Sequence, residues 1–159
     1  MSRKTIILLL ILFILPLVIY FLWPSDEARI KKLFREGARA IEKKDLDAVM
    51  SKVLFNYTDE YGFNYQDEYG FNYLYVKETM KYVFQQMNDV KVEYENLKIN
   101  VTDKTATADM DVMVLATISG NTGYVLGDLA KPAHLKFTLE KERSKWSVIK
   151  TEGLPPFNF

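Results

Sequence analysis

With 159 residues, of which 48% are hydrophobic and 26% charged, the chain has room for one globular core and not two. Lys plus Arg equals Asp plus Glu at 21 each; setting aside Arg3 and Lys4 leaves the remainder two charges to the acidic side, which excludes the basic stripe that a broad nucleic-acid footprint needs. Cys is absent, excluding disulfides, thiolate catalysis and Cys-based zinc sites.

Ile6 to Trp23 (IILLLILFILPLVIYFLW) carries no charge. As a helix it would be about 27 Å long at ~1.5 Å per residue, close to the ~30 Å hydrocarbon core of a bilayer. The run is longer than the apolar stretch of a cleaved signal peptide, and its exit, Tyr20-Phe21-Leu22-Trp23-Pro24-Ser25, lacks the small residues that a peptidase requires. The expectation is a signal-anchor: residues 1–24 form a tail and transmembrane helix, and residues 25–159 form the folded domain. Tyr20 and Trp23 would sit at headgroup depth. Five cations follow the span (Arg29, Lys31, Lys32, Arg35 and Arg39) against two before it. The charge rule applies to short loops, however, and the only short loop is the N-terminal tail, so the domain is expected on the extracytoplasmic side.

Ser25 is a candidate N-cap, with Asp26 and Glu27 in the first turn where the helix dipole favours acids. Ile30, Leu33, Phe34, Gly37, Ala38 and Ile41 then mark one buried stripe of a helix to about Lys44. Asp45 can cap a second, short helix with Leu46, Val49, Met50 and Val53 inward. Next comes a duplication, DEYGFNYQ at Asp59 to Gln66 and DEYGFNYL at Asp67 to Leu74, one copy of which is expected to belong to the fold and the other to extend a hairpin or loop. A third helix is predicted from about Leu74 to Asn88 on Val76, Met80, Val83, Phe84 and Met87.

From Val90 the period changes to two. Val90, Val92 and Tyr94 alternate on even positions and Leu97, Ile99 and Val101 on odd ones; this slip of parity at Glu95-Asn96 predicts a β-bulge. After the turn Thr102-Asp103-Lys104 comes the longest alternation in the chain, TATADMDVMVLATI from Thr105 to Ile118. Ala106, Ala108, Met110, Val112, Val114, Ala116 and Ile118 lie on one side, so this is read as the long central strand. Ser119 to Lys131 is expected to be a loop. Strands follow at Ala133 to Leu139 and Lys145 to Ile149, separated by a turn at Glu142-Arg143-Ser144. This order predicts an α+β fold, with three helices packed on a curved antiparallel sheet.

The helix pair ending EKKDLDAVMSKV, the YTDEYG after it, the third helix, the alternation after KTATADM and the late KWSVI together resemble the nuclear transport factor 2-like superfamily. The likeness extends over nearly all of Asp26 to Gly153. It implies a cone-shaped, cystatin-like domain of the SnoaL-like or ketosteroid-isomerase-like kind, here in a membrane-anchored member. The superfamily contains enzymes, ligand binders, dimerisation modules and membrane-anchored assembly subunits, so fold transfers better than function.

In the enzymes this resemblance brings in, a mouth between helices and sheet holds a carboxylate base and hydrogen-bond donors. Asp59 is the positional match to the base, and Tyr57 and Tyr61 are candidate donors. Leu33 and Phe34 stand where such an enzyme would want a tyrosine, and the long strand offers Ala and Val inward. The oxyanion partners are therefore missing, which argues against catalysis. The pocket candidates are Tyr57, Asp59, Tyr61, Phe84 and Trp146. His134 reads as a surface residue, Asp109 and Asp111 as a wet outer face, and no cofactor or metal is implied.

Met113 and Leu115 interrupt the polar side of the long strand and are the interface candidates. They would be covered either by a partner or by Tyr124-Val125-Leu126 or Phe157-Asn158-Phe159. The leading expectation is a non-catalytic, membrane-anchored interaction domain engaging a membrane-protein partner or itself as a homodimer. The alternatives are a binder of a small apolar ligand, for which Ala106, Ala108 and Ala116 would leave room, and a cyclase- or isomerase-like enzyme using Asp59.

Overall fold

The structure, a computed structural model, describes Ile11, Leu12, Ile14, residues 24–59 and residues 71–155. The duplicated segment therefore lies largely outside the described residues, and so do Tyr61 and the tail Phe157-Asn158-Phe159. Among the described residues no helix is long and apolar enough to cross a membrane. The apolar run from Ile6 to Trp23 falls outside them except for Ile11, Leu12 and Ile14, which are helical and more than half exposed.

Helix α1 spans Asp26–Glu42 and starts where the sequence places its cap: Ser25 Oγ accepts from the Ala28 amide at 3.1 Å. Acids occupy its first turn and Arg39 its last, complementing the dipole. Ile30, Leu33, Phe34 and Ala40 form its buried stripe. Lys44, in the left-handed region at φ 54°, ends the turn, and Asp45 Oδ1 accepts from the Ala48 amide at 3.0 Å to start α2, Leu46–Met50. Helix α3 covers Phe71–Gln86, three residues earlier at its start and two earlier at its end than its periodicity suggests.

The strands are β1 Val53–Asp59, β2 Met87–Thr102, β3 Thr105–Ile118, β4 Asn121–Leu126, β5 Ala133–Glu142 and β6 Lys145–Glu152. Their order is β1-β6-β5-β3-β2, with β4 joined to β3 beyond the end of β5. The expected antiparallel sheet is corrected to a mixed one: β1 runs parallel to β6, from Val53 opposite Val148 to Asp59 opposite Thr151. The expected loop Ser119 to Lys131 is corrected too, since most of its first half is β4.

Curvature arises where the parity slips. The β2–β3 register shifts between Glu95 and Lys98, and Asn96 takes φ 55°, so the extra residue bulges and the sheet bends around the helices. A second discontinuity lies on the other edge of β3, which pairs with β5 up to Val112 opposite Ala133 and with β4 from Val114 opposite Leu126. Gly127 occupies the switch, at φ 58°, and an added Cβ would lie 2.5 Å from both the Ala133 nitrogen and the Val112 oxygen. Only glycine fits there.

The core lies between α1 and the inner face. Ile30, Leu33 and Phe34 meet Ala106, Ala108, Met110, Val112, Leu135, Leu139 and Val148. Phe34 and Phe137 pack with ring centroids 5.0 Å apart. One polar clamp ties the start of α1 to the β5–β6 hairpin: Asp26 accepts from Trp146 Nε1 at 3.0 Å and from Lys141 Nζ at 2.8 Å. The Lys141 hydrogen bond, then that of Trp146, holds the Asp26 carboxyl below its ordinary range.

Because the folded state depresses that value, the carboxylate stabilises the fold above the unfolded pKa of about 3.8, and this contribution is lost as pH falls through the folded value. Asp26→Asn is expected to lose about 1–2 kcal/mol near neutrality. In thermal melts at graded pH the gap between variant and wild type should close under acid conditions; a gap independent of pH would refute the clamp.

Candidate functional site

Two places can be compared as sites, the inside of the cone and the outer face of the sheet. Inside, the sequence candidates are mostly packing residues. Tyr57 is 6% exposed and Trp146 3%, and both belong to the same cluster as Ile30 and Leu139. Phe84 on α3 is buried as well. Ala106 and Ala108 are almost fully covered and belong to that cluster as well. Among the described residues no buried side-chain nitrogen or oxygen lacks a hydrogen-bond partner, so the interior aims no orphan polar group at a ligand. Asp59 is the last residue of β1, opposite Thr151; its side chain lies outside the described residues.

The outer face is built by the other parity of β3. Register places Asp109 opposite Lys98 and Lys136, Asp111 opposite Glu95 and His134, Met113 opposite Glu93, and Leu115 opposite Lys91 and Tyr124. Directly opposed residues share a face, so a polar half and an apolar half succeed each other along one strand. In the apolar half, Met113 and Leu115 line a small, shallow depression, open to solvent, together with Lys91, Glu93 and Tyr124. Met113 is 8% exposed, whereas Tyr124 at its rim is 43% exposed. Among the described residues the Tyr124 segment lies beside the patch and lines the depression; the other expected covering, Phe157-Asn158-Phe159, lies outside them. Lys91 donates to Glu93 at 2.6 Å at the edge of the apolar floor, which raises the lysine's pKa.

In the polar half, Asp111 joins three strands. Its Oδ2 accepts from the Asn96 amide at 2.8 Å, and its Oδ1 lies 2.9 Å from His134 Nδ1. The Asn96 bond first and the His134 bond second hold the Asp111 carboxyl below its usual range. Asp109 is more distant, 3.8 Å from His134 Nε2. Among the described residues no group of three or more His, Asp or Glu side chains is arranged to hold a metal ion. His134 is exposed and its neighbours offer no nucleophile, so the cluster pins the bulge to β3 and β5. Sequence parity placed Asp111 and His134 outside but could not show that Asn96, at the slip and turned by its left-handed backbone, would reach Asp111.

No family model matches the chain, and none of the curated proteins matches it. Solved structures do. A proposed scytalone dehydratase from Novosphingobium aromaticivorans DSM 12444 aligns with a TM-score of 0.64 at 12% identity, over 80% of this chain and 81% of the other. A proposed aromatic ring hydroxylase from the same species aligns with a TM-score of 0.65 at 18% identity, over 82% and 90%. A nuclear transport factor 2-like protein with a cystatin-like fold, again from that species, aligns at 0.58 and 16% identity, over 80% and 79%. The chain therefore has the nuclear transport factor 2-like, cystatin-like cone, with three helices and a curved mixed sheet. At such identities the likeness concerns fold alone.

Whether the interior is filled can be measured. Ala108, with 0% exposure, should not tolerate a larger side chain, and Ala108→Leu is expected to cost about 1–3 kcal/mol by overpacking. An unchanged or raised melting temperature would reveal vacant space in the cone.

Proposed function

We propose that this chain is a single-pass, membrane-anchored interaction domain without catalysis, which pairs with a second copy of itself through the outer face of its sheet. The observation that carries the reading is the apolar floor at Met113 and Leu115, flanked by Tyr124, on the side of β3 away from the helices. The burial of Tyr57, Phe84 and Trp146 among the described residues and the partly exposed Tyr124 on the opposite face favour surface contact over ligand capture. The mixed charge around the floor supports a second copy. The same face carries Lys91, Lys98 and Lys136 together with Asp109, Asp111 and Glu93, and a twofold rotation can bring each sign over the other. The apolar, exposed helical residues Ile11, Leu12 and Ile14 support an anchor over Ile6 to Trp23, with the domain on the extracytoplasmic side. Confinement to a plane raises the effective concentration of copies for one another.

The natural absence of Cys makes the test clean. With the full chain in vesicles, Leu115→Cys is expected to give a covalent dimer with a short bismaleimide at several times the yield of Lys81→Cys on α3. Equal yields at both sites would sink the self-pairing; a cross-link from Leu115→Cys only to a different protein in native membranes would replace the second copy by a foreign partner.

A second reading is favoured by two neighbours described as proposed enzymes and by Tyr57 lying two residues before Asp59 on β1. It is a small apolar-ligand binder or cyclase/isomerase-like enzyme with Asp59 as base. Under it a planar phenol would bind the interior with its ionisation shifted by the carboxylate. A phenol titration indifferent to Asp59→Asn would eliminate that reading.

A further inference from the structure

Among the described residues β1, β2 and β4 have a neighbouring strand on one edge only, and an open edge is a template for another chain unless it is blunted. β2 is blunted along its length. Lys44 Nζ donates to the Met87 carbonyl at 2.9 Å, and Glu42 Oε1 accepts from the Val92 amide at 3.1 Å, so the end of α1 occupies groups that β2 turns outward. Exposed charges stand at Lys91, Glu93, Glu95 and Lys98, and the bulge at Asn96 breaks the line. β1 has α3 packed against it, with the Phe55 and Tyr73 rings 5.5 Å apart, and its own pairing is irregular between Val53 and Thr58.

β4 carries none of these devices over its regular run. Asn121-Thr122-Gly123-Tyr124 holds no charge and no proline, and each of these residues is exposed. The turn before it, Ser119-Gly120, has both residues at positive φ, 50° and 82°. This is the two-residue hairpin turn whose flanking pair, here Ile118 and Asn121, is hydrogen-bonded. Alternation then makes Thr117 with Thr122, and Leu115 with Tyr124, the non-hydrogen-bonded pairs. Thr117 Oγ1 and Thr122 Oγ1 lie 2.8 Å apart, the close side-chain approach that such a pair gives. The N–H and C=O of Thr122 and of Tyr124 therefore point to the open edge. The register slips only afterwards, at Val125.

We propose that this edge pairs antiparallel with the same edge of a second copy, about a twofold axis at Gly123. Thr122 of each copy then lies opposite Tyr124 of the other, each such pair exchanging both of its N–H···O bonds. The occupant is a second copy because the edge is complementary to itself. Its outward groups sit one residue to either side of Gly123, so rotation about that point sets donors on acceptors. The Thr122 and Tyr124 side chains meet on the outer face as β-branched and aromatic neighbours, which stabilises a sheet. The inference rests on the self-pairing proposed above for its choice of occupant and goes beyond it in surface. The contact is the main chain of β4 and not the Met113–Leu115 floor, and through it the sheet of one copy continues into the next.

The test uses the full chain in vesicles. A Cβ added at Gly123 meets no atom within 4 Å, and the chain has no Cys, so Gly123→Cys introduces a single thiol without crowding the fold. The axis sets that thiol against its equivalent at the close separation of a non-hydrogen-bonded pair. Mild oxidation is expected to give disulfide-linked dimer at several times the yield of Asn121→Cys, which the register sets opposite Val125 and not opposite itself. In the wild-type chain, amide exchange at Thr122 and Tyr124 is expected to slow about tenfold from dilute to crowded surface density. Thr122→Pro, which removes an outward donor, should abolish the slowing at Tyr124, and Thr122→Val should keep it, with cooperative melting showing that both variants fold. If Leu115→Cys cross-links through the bismaleimide while Gly123→Cys stays at the yield of Asn121→Cys, the edge pairing is overturned and the outer-face pairing stands. Cross-linking at neither position overturns both. Slow exchange of the Thr122 and Tyr124 amides already in the dilute chain places the occupant within the chain itself and overturns the pairing as well.

Discussion

Strand β3 is hydrogen-bonded along both edges, to β2 on one side and to β5 and then β4 on the other, and the parity of its side chains divides the domain's tasks. The even positions are apolar, and those from Ala106 to Val114 join Ile30, Leu33 and Phe34 of α1 in one core. The odd positions begin polar, at Thr105 to Asp111, and turn apolar at Met113 and Leu115. A one-residue slip of this strand would put the aspartates into the core and the alanines into water. The bulge at Asn96 and the change of partner at Gly127 are accommodated around it without disturbing that parity.

A second constraint acts at the end of the molecule where the chain enters the domain. Asp26, Lys141 and Trp146 join the first residue of α1 to a hairpin more than a hundred positions later, so the start of the helix is fixed directly to the sheet. Carboxylate, ammonium and indole are each satisfied within the triad, and the indole ring fills the core on its other side.

Much of this was legible in the residues. The ends of β3, the caps at Ser25 and Asp45, the bulge at Glu95-Asn96 and the turns at Asp103 and Arg143 follow from local rules of alternation, capping and turn chemistry, and the structure places them accordingly. β4 was hidden because Ser119-Gly120-Asn121-Thr122-Gly123 is turn chemistry, and a strand only six residues long begins inside it. The parallel pairing of β1 with β6 left no signal, since nothing in VLFNYTD encodes which strand it will lie beside. Trp146 and Tyr57 read as pocket residues because aromatics near a cone look alike from sequence whether they line a space or fill it; the structure buries both in the core cluster. Met113 and Leu115 were detectable as a break in polarity, and the structure adds what alternation cannot supply, the flanking Lys91, Glu93 and Tyr124.

Radical footprinting of the full chain in vesicles, at dilute and at crowded surface density, tests most directly whether the proposed working surface is the outside of the sheet and not the inside of the cone. Leu115 and Tyr124 should lose reactivity on crowding, while Tyr75 and Tyr82 on α3 keep theirs. Reactivity at Leu115 and Tyr124 that is the same at both densities, with protection appearing instead at Tyr57 or Phe84 when small apolar compounds are added, would contradict it.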